Sequence, residues 1–190
     1  MAAFQGKYDA RNRHRRSVRL RKYDYSWPGW YYVTACTHGR ECTFGDIVGD
    51  EIHLSPIGKI VEEEWLRTPK IRPEVELDEH IVMRNHIHGI VIIGERQKSR
   101  TTNTVGTHGR ASLLMLRRVP GSLSSIMAGF KAAVTTRTNT QRGTPGTPVW
   151  QGRFHDHIIR NAVDLHRIRE YILNNVLEWA LDEENPINQT

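Results

Sequence analysis

The sequence predicts an α+β protein with a ferredoxin-like fold, in which helices pack on an antiparallel sheet. Three observations predict this fold. The strand and helix patterns follow the order βαββαβ once a small hairpin is set aside, a last helical pattern follows them, and two of the strands are joined tightly at Arg84-Asn85. The same fold occurs in nucleic-acid-binding modules and in many enzymes, so function has to be argued from particular residues.

The predicted strands are runs rich in aromatic and β-branched residues. Two short runs flank Gly49-Asp50, which is a two-residue signal for a hairpin. The run that contains residues 90–93 is strongly apolar at its end, as expected of a central strand. In chain order, the predicted strands are residues 30–36, 43–48, 51–54, 75–83, 86–94 and 149–159.

Three helices are predicted from apolar residues spaced three and four apart and from the residues that begin them. Ser55, followed by a proline, caps a first helix that Pro69 is expected to end. Ser122 caps the second helix. Asn161 caps the third, with Asp164 at the reciprocal position of a capping box.

The chain is organised as a basic flexible arm at residues 1–24 and a single domain at residues 25–190. The arm is rich in arginine and lacks periodicity. Residues 95–120 are polar and aperiodic, so we expect a mobile loop there. A chain of 190 residues is long enough for one domain with a real core.

The net charge is +6, and the positive charge is unevenly placed. Segregated positive charge is typical of a phosphate-binding surface, although a solvated arm without a partner has the same composition. Basic residues gather in the arm, in the 95–120 loop and after residue 130. Those that we expect to contact nucleic acid are Arg13, Arg15, Arg16, Arg19, Lys131, Arg153 and Arg160.

Several classes of protein are disfavoured by composition. No apolar run approaches the roughly 20 residues of a membrane span, and the basic N-terminus does not resemble a secretory signal. Cys36 and Cys42 are too few for a disulfide scaffold. We therefore expect a cytoplasmic protein without a membrane partner.

Two pairs of histidines have the spacing of metal ligands on a strand. His86 and His88 are two residues apart, so both side chains point to the same face of the sheet. Two adjacent imidazoles suit a metal ion, but two half-buried histidines held by hydrogen bonds give the same pattern. Gly89 follows, where a small residue allows another backbone or a substrate to approach. His155 and His157 offer the same geometry, and spacing alone does not rank the two pairs.

A tyrosine and an asparagine share one face of the last predicted helix. Tyr171 and Asn175 are four residues apart, and Tyr171 lies at the edge of the apolar stripe. This position suits a tyrosine that covers the core, and also a nucleophile beside a metal ligand. A divalent cation that polarises the scissile phosphate would allow a phenol to attack at neutral pH. The Asn175 carbonyl oxygen would complete a His-His-Asn ligand set for Mg²⁺ or Mn²⁺.

These residues together resemble a known family. Residues 82–90 resemble the HUH motif (His-hydrophobic-His) of single-tyrosine transposases, and residues 169–175 resemble their nucleophile helix. Residues 32–34, 149–151 and 156–160 are similar to the REP-associated tyrosine transposase branch of that family. The resemblance covers nearly the whole chain, and the order and spacing of its motifs make it specific.

The resemblance implies a transposase that cleaves and rejoins hairpin-containing single-stranded DNA through a 5′-phosphotyrosine. It implies Tyr171 as the nucleophile, and His86, His88 and Asn175 as ligands of Mg²⁺ or Mn²⁺. It thereby favours the first histidine pair over the second. It is also compatible with a homodimer that exchanges the last helix, and with action at the nucleoid.

The sequence departs from the family pattern at two positions. Arg84 and Val176 stand where the family usually has proline. Neither change removes a catalytic group: Arg84 adds a candidate phosphate contact, and Val176 lets the helix continue. The departures leave an alternative function open, namely a catalytically inactive or domesticated protein that binds DNA hairpins.

Overall fold

A computed structural model describes residues 23–95, 119–182 and 184–188. The predicted arm up to residue 22, with Arg13, Arg15, Arg16 and Arg19, lies outside the described residues, as do residues 96–118 of the predicted loop. The described strands and α-helices are β1 (Gly29–Cys36), β2 (Gly45–Val48), β3 (Glu51–Leu54), α1 (Pro56–Ile71), β4 (Val75–Val82), β5 (His86–Ile93), α2 (Leu123–Arg142), β6 (His155–Ile159) and α3 (Ala162–Asn174).

Four strands form an antiparallel sheet in the order β4-β5-β1-β6, and β2 and β3 form a separate hairpin. β1 and β5 are therefore inner strands, and β4 and β6 are the edges. β1 and β4 are consecutive in the chain once the hairpin is set aside, and β5 lies between them in the sheet. This strand order is that of a ferredoxin-like fold. The predicted α+β fold is confirmed.

Helices cover both faces of the sheet. α1 and α2 share the larger core with one face, and α3 packs on the other through a smaller cluster made by Ile90, Ile159, Ile168 and Ile172. On the first face, a Cβ at Gly89 would lie 2.3 Å from the Trp65 ring. Glycine is therefore required there by a side chain of α1, and not by a substrate or another backbone as its position suggests.

Two predicted boundaries are wrong, the first for a local reason and the second because of tertiary contacts. α1 continues through Pro69 to Ile71. Because the helix ends two residues later, Pro69 lies in the last turn. Its missing N–H therefore costs one hydrogen bond and does not interrupt the middle of the helix. β6 begins at His155 and not at Val149. Residues 149–151 instead contact the last residue of β1 and the residues that follow it. Gln151 N–H donates to the Cys36 carbonyl at 2.9 Å, and Thr37 and Trp150 form an isolated bridge.

The helices begin at the predicted N-caps. Ser55, Ser122 and Asn161 each accept a hydrogen bond from a backbone N–H of the first turn. α3 ends at Asn174, so Val176 does not continue the helix, but Asn175 keeps helical dihedral angles. None of the helices in the described part of the chain is both long and apolar enough to cross a membrane.

Candidate active site

Two histidines of β5 face α3 from the middle of the sheet. In the pairing of β5 with β1, His86 lies opposite Cys36 and His88 lies opposite Thr34. Their side chains are 0% and 2% exposed, and their ring centroids are 4.3 Å apart. The alternation of a strand places both rings on one face, as predicted, and the inner position of β5 buries them.

A bidentate ion pair fixes α3 above this face. The guanidinium of Arg169 donates to both carboxylate oxygens of Asp78, from Nε at 2.8 Å and from a terminal nitrogen at 2.5 Å. Asp78 lies where the register between β4 and β5 shifts, between Leu77 and His80. The irregularity of β4 thus supplies an anchor for the helix that carries Tyr171.

Tyr171 reaches the histidines from α3. Its hydroxyl lies 3.4 Å from Nε2 of His88, and its ring meets the His88 ring edge-on with centroids 5.2 Å apart. The side chain remains 37% exposed, so solvent and a substrate have access to it. Asn175, one turn later, is fully buried. The structure therefore brings together the four residues that the sequence predicts for the site.

Asp182 is a fifth member of the site that sequence reasoning missed. Its Oδ2 accepts hydrogen bonds from Nδ2 of Asn175 at 2.8 Å and from the Tyr171 hydroxyl at 3.3 Å. Ligand atoms of His86, His88 and Asp182 all lie within 4.8 Å of one another. In the sequence, Asp182 is only an acidic residue in a polar tail. Turns connect it to α3, so no helix or strand periodicity predicts where its side chain points.

Hydrogen bonds hold both imidazoles at their Nδ1 atoms. Nδ1 of His86 is 2.8 Å from Oδ1 of Asn85. Nδ1 of His88 is 2.7 Å from the Tyr32 hydroxyl and 2.9 Å from that of Thr34. Partners at Nδ1 leave each Nε2 as the atom to bind a cation, the usual arrangement of metal-ligating histidines.

The charge states of the site suit a metal. Burial lowers the pKa of His86 well below its usual value, helped by the neighbouring His88 and opposed by Asp182. His86 is therefore neutral near pH 7, as a metal ligand must be. Burial alone would raise the pKa of Asp182, but hydrogen bonds with His88, the Glu184 N–H and the Asn175 side chain lower it well below the usual range. Asp182 is an anion at the same pH.

Two buried polar atoms at the site fit a bound cation. Nε2 of His86 and Oδ1 of Asn175 make no hydrogen bond of acceptable geometry among the described residues, although the Asn175 side chain lies near enough to His86 to oppose the fall in its pKa. A buried polar atom without a partner is costly, and a cation would satisfy both. Two imidazole nitrogens with amide and carboxylate oxygens form a ligand set for a divalent metal ion.

The second histidine pair is arranged differently. His155 is exposed, and Nε2 of His157 contacts Oδ2 of Asp164 at 2.8 Å. Within the described ranges, His86, His88 and Asp182 are the only group of three His, Cys, Asp or Glu residues that could hold a metal ion. The local structure therefore favours the first pair.

The described basic residues that the sequence singles out belong to separate parts of the fold. Arg84 precedes His86 by two residues; it donates to Asp46 at 2.9 Å, and its guanidinium lies over the Trp179 ring. Lys131 of α2 donates to the backbone carbonyls of Gln151 and Arg153. Arg160 is exposed at the junction of β6 and α3. The structure does not bring these residues together at the histidines.

Fold and site define an α+β domain with a tyrosine beside paired histidines. No protein-family model matches the sequence. An uncharacterized protein of Haemophilus influenzae is 36% identical over 177 residues, which cover 93% of this chain and 96% of that protein. The chain belongs to the same family as that protein.

The fold is also that of a solved transposase structure. A REP-associated tyrosine transposase bound to a REP hairpin matches with a TM-score of 0.58 over 88% of this chain and 77% of that one, at 18% identity. The predicted likeness to this branch of transposases is therefore confirmed at the level of the fold.

Proposed function

We propose that this chain is a metal-dependent tyrosine transposase that cleaves and rejoins hairpin-containing single-stranded DNA through Tyr171. One observation carries the proposal. The Tyr171 hydroxyl lies 3.4 Å from Nε2 of His88 and 3.3 Å from Oδ2 of Asp182, beside a buried group of candidate metal ligands. A nucleophile next to a metal site, on a fold shared with a transposase, supports this chemistry.

His86, His88 and Asn175 would hold Mg²⁺ or Mn²⁺, with Asp182 as a further ligand. The unpartnered atoms of His86 and Asn175 support the assignments of these two residues, which were made from the family resemblance. Asp182 is supported by its distance to the histidines. When bound, a divalent cation polarises the scissile phosphate and stabilises charge on its oxygens.

The residues of the chain perform the covalent step. The phenol oxygen of Tyr171 attacks phosphorus and forms a phosphotyrosine at a 5′ end, while the bond from phosphorus to the 3′ oxygen breaks and leaves a 3′ hydroxyl. The phenol proton passes to water, and the leaving 3′ oxygen takes a proton from water. Attack by a 3′ hydroxyl on the phosphotyrosine reverses these bond changes and releases the tyrosine. No ATP is needed, because the bond energy is conserved.

Asp182 and Asn175 orient the nucleophile before the reaction. Oδ2 of Asp182 accepts from both the phenol and the Asn175 amide, so the nucleophile and a candidate ligand share one acceptor. Tyr32 packs edge-on against Tyr171 with ring centroids 6.3 Å apart. A phenol held from two sides needs less reordering to reach phosphorus.

Hairpin DNA is the substrate that the fold relative supports, since that protein is bound to a REP hairpin. Phosphate contacts require cations, and Arg84 borders the site at the turn between β4 and β5. We further assign DNA contacts to Arg13, Arg15, Arg16, Arg19, Lys131, Arg153 and Arg160. A protein with this activity works on chromosomal DNA, so we place it in the cytoplasm at the nucleoid; the homodimer stays a prediction.

The experiment is a search for the covalent adduct. Labelled single-stranded hairpin oligonucleotides are incubated with the purified protein and Mn²⁺ or Mg²⁺, and the products are separated on a denaturing gel. We expect nicked DNA and a protein–DNA band that need the metal. Tyr171→Phe should abolish both, whereas Tyr23→Phe should not, because the Tyr23 hydroxyl contacts Tyr31 on the opposite face of the sheet.

Three outcomes would contradict the proposal. Tight hairpin binding without nicking across a broad set of hairpins would favour the inactive DNA-binding protein. An adduct that persists in Tyr171→Phe would assign the nucleophile to another residue. Cleavage that survives removal of divalent ions by a chelator would contradict the metal dependence.

A further inference from the structure

We propose that Asn85 is a positioning residue with two functions: it fixes the tautomer of His86, and it ties that histidine to the C-terminal segment that carries Asp182. The inference rests in part on the proposed metal site. Asn85 is fully buried in the turn between β4 and β5, and it directly precedes His86. Each polar atom of its side chain has a partner in the described structure.

The partners of the Asn85 amide fix its orientation. Nδ2 donates to the backbone carbonyl of Arg40 at 3.1 Å and to that of Glu184 at 2.8 Å. A carbonyl oxygen only accepts hydrogen bonds, so the atom that faces two of them must be the amide nitrogen. Oδ1 is therefore the atom that faces His86.

The orientation of the amide in turn fixes the tautomer of His86. Oδ1 of Asn85 lies 2.8 Å from Nδ1 and cannot donate, so Nδ1 carries the proton. The lone pair of the neutral ring then lies on Nε2, which is the buried atom without a partner among the described residues. Asn85 thus presents His86 to a cation through the correct nitrogen.

The second function connects two parts of the chain. Glu184 follows Asp182 by two residues, and its N–H donates to Oδ1 of Asp182 at 2.6 Å. The Glu184 side chain is held by Arg40 and by the thiol of Cys36. The bond from Asn85 to the Glu184 carbonyl therefore fastens the segment that brings Asp182 to the histidines.

Only a side chain that accepts once and donates twice can make these three bonds. Aspartate in place of Asn85 would keep the acceptor for His86 but would face two carbonyl oxygens without a proton to donate. Alanine would remove all three bonds. The two variants therefore separate the two functions, and both leave the proposed ligands themselves in place.

The test compares Asn85→Ala and Asn85→Asp with Asn139→Ala. Asn139 is also a buried amide that donates to a backbone carbonyl, that of Thr147 at 2.9 Å, but it lies near the end of α2. Three readouts are measured on the full chain. These are the tautomer of His86 by long-range ¹H–¹⁵N NMR without metal, Mn²⁺ affinity by titration calorimetry, and hydrogen exchange of the backbone amides in residues 184–188, where Pro186 has none.

We expect Asn85→Ala to lose the single Nδ1–H tautomer and to weaken Mn²⁺ binding by about tenfold to a hundredfold. Asn85→Asp should keep the tautomer but speed exchange in residues 184–188, as Asn85→Ala does. Asn139→Ala should match the parent protein in all three readouts. If Asn85→Ala does not fold, Asn85→Asp still decides, because it should speed exchange in residues 184–188 without changing the tautomer of His86.

Two results would overturn the inference. One is an unchanged tautomer with Mn²⁺ affinity within about twofold of the parent in Asn85→Ala. The other is unchanged exchange of residues 184–188 in Asn85→Asp. If the parent protein itself binds no Mn²⁺, the proposed metal site fails, and the tautomer and exchange still decide the function of Asn85.

Discussion

The two His-x-His pairs have the same spacing and lie on the same face of the same sheet, yet only one forms a candidate metal site. Thr34 of β1 is paired with His88 on one side and with His155 on the other. The first pair is buried, whereas His155 is exposed and His157 is half-buried. Two-residue spacing therefore sets the direction of a side chain but not its environment.

The two histidine pairs differ because different elements cover β5 and β6. β5 is an inner strand, and both α3 and the segment around Asp182 reach its histidines. β6 is an edge strand, and His157 contacts Asp164 in the first turn of α3. Hydrogen bonds from His157 and Arg167 lower the pKa of Asp164 against the effect of burial, as in an ordinary ion pair.

The largest predicted difference between the pairs is in catalysis. His86→Ala should reduce metal-dependent DNA cleavage by about 1000-fold, because several kcal/mol of stabilisation by a bound cation would be lost. His155→Ala should stay within about twofold of the parent, as the exposed ring contacts no proposed ligand. Initial rates on labelled hairpins measure both. Equal losses in the two variants would remove the distinction between the pairs.

An intermediate effect on Mn²⁺ affinity is predicted for the carboxylates beside the two pairs, Asp182 and Asp164. Asp182→Asn should weaken Mn²⁺ binding by about tenfold to a hundredfold, since the anion beside the two imidazoles would be lost. Asp164→Asn should leave the affinity unchanged. Titration calorimetry gives both constants. A larger loss of Mn²⁺ affinity in Asp164→Asn than in Asp182→Asn would indicate that the metal binds beside β6.

The smallest predicted effect separates placement of the nucleophile from metal binding. Arg169→Ala should lower the cleavage rate by about fivefold at most, because its ion pair with Asp78 anchors α3 but is partly exposed. Mn²⁺ affinity should not change. Arg167→Ala is the matched control, since Arg167 pairs with Asp164 on the same helix. A rate for Arg169→Ala equal to that of the control would show that the anchor does not position Tyr171.

The sequence predicts most of the fold and four of the five site residues, because these depend on local rules. Strand alternation sets the direction of His86 and His88, and helix spacing places Tyr171 and Asn175 on one face. Asp182 escapes prediction because it reaches the site through turns, whose direction depends on tertiary contacts. One of these contacts is the amide of Asn85, which binds the carbonyl of Glu184.

The predicted start of β6 is wrong because tertiary contacts decide it. The side chain of Lys131 on α2 binds the carbonyls of residues 151 and 153, and β6 pairs with β1 only from His155 onward. Gly89 looks suited to a substrate, but it accommodates the ring of Trp65 from the other face. Neither partner lies near in sequence, so no local pattern reveals it.

The central claim is that the buried pair, and not the exposed one, holds a divalent ion beside Tyr171. Anomalous diffraction from crystals soaked in Mn²⁺ tests it most directly. We predict an anomalous peak within bonding distance of Nε2 of His86 and of His88, with an oxygen of Asn175 or Asp182 completing the set. A peak between His155, His157 and Asp164, with none at His86, would contradict the account.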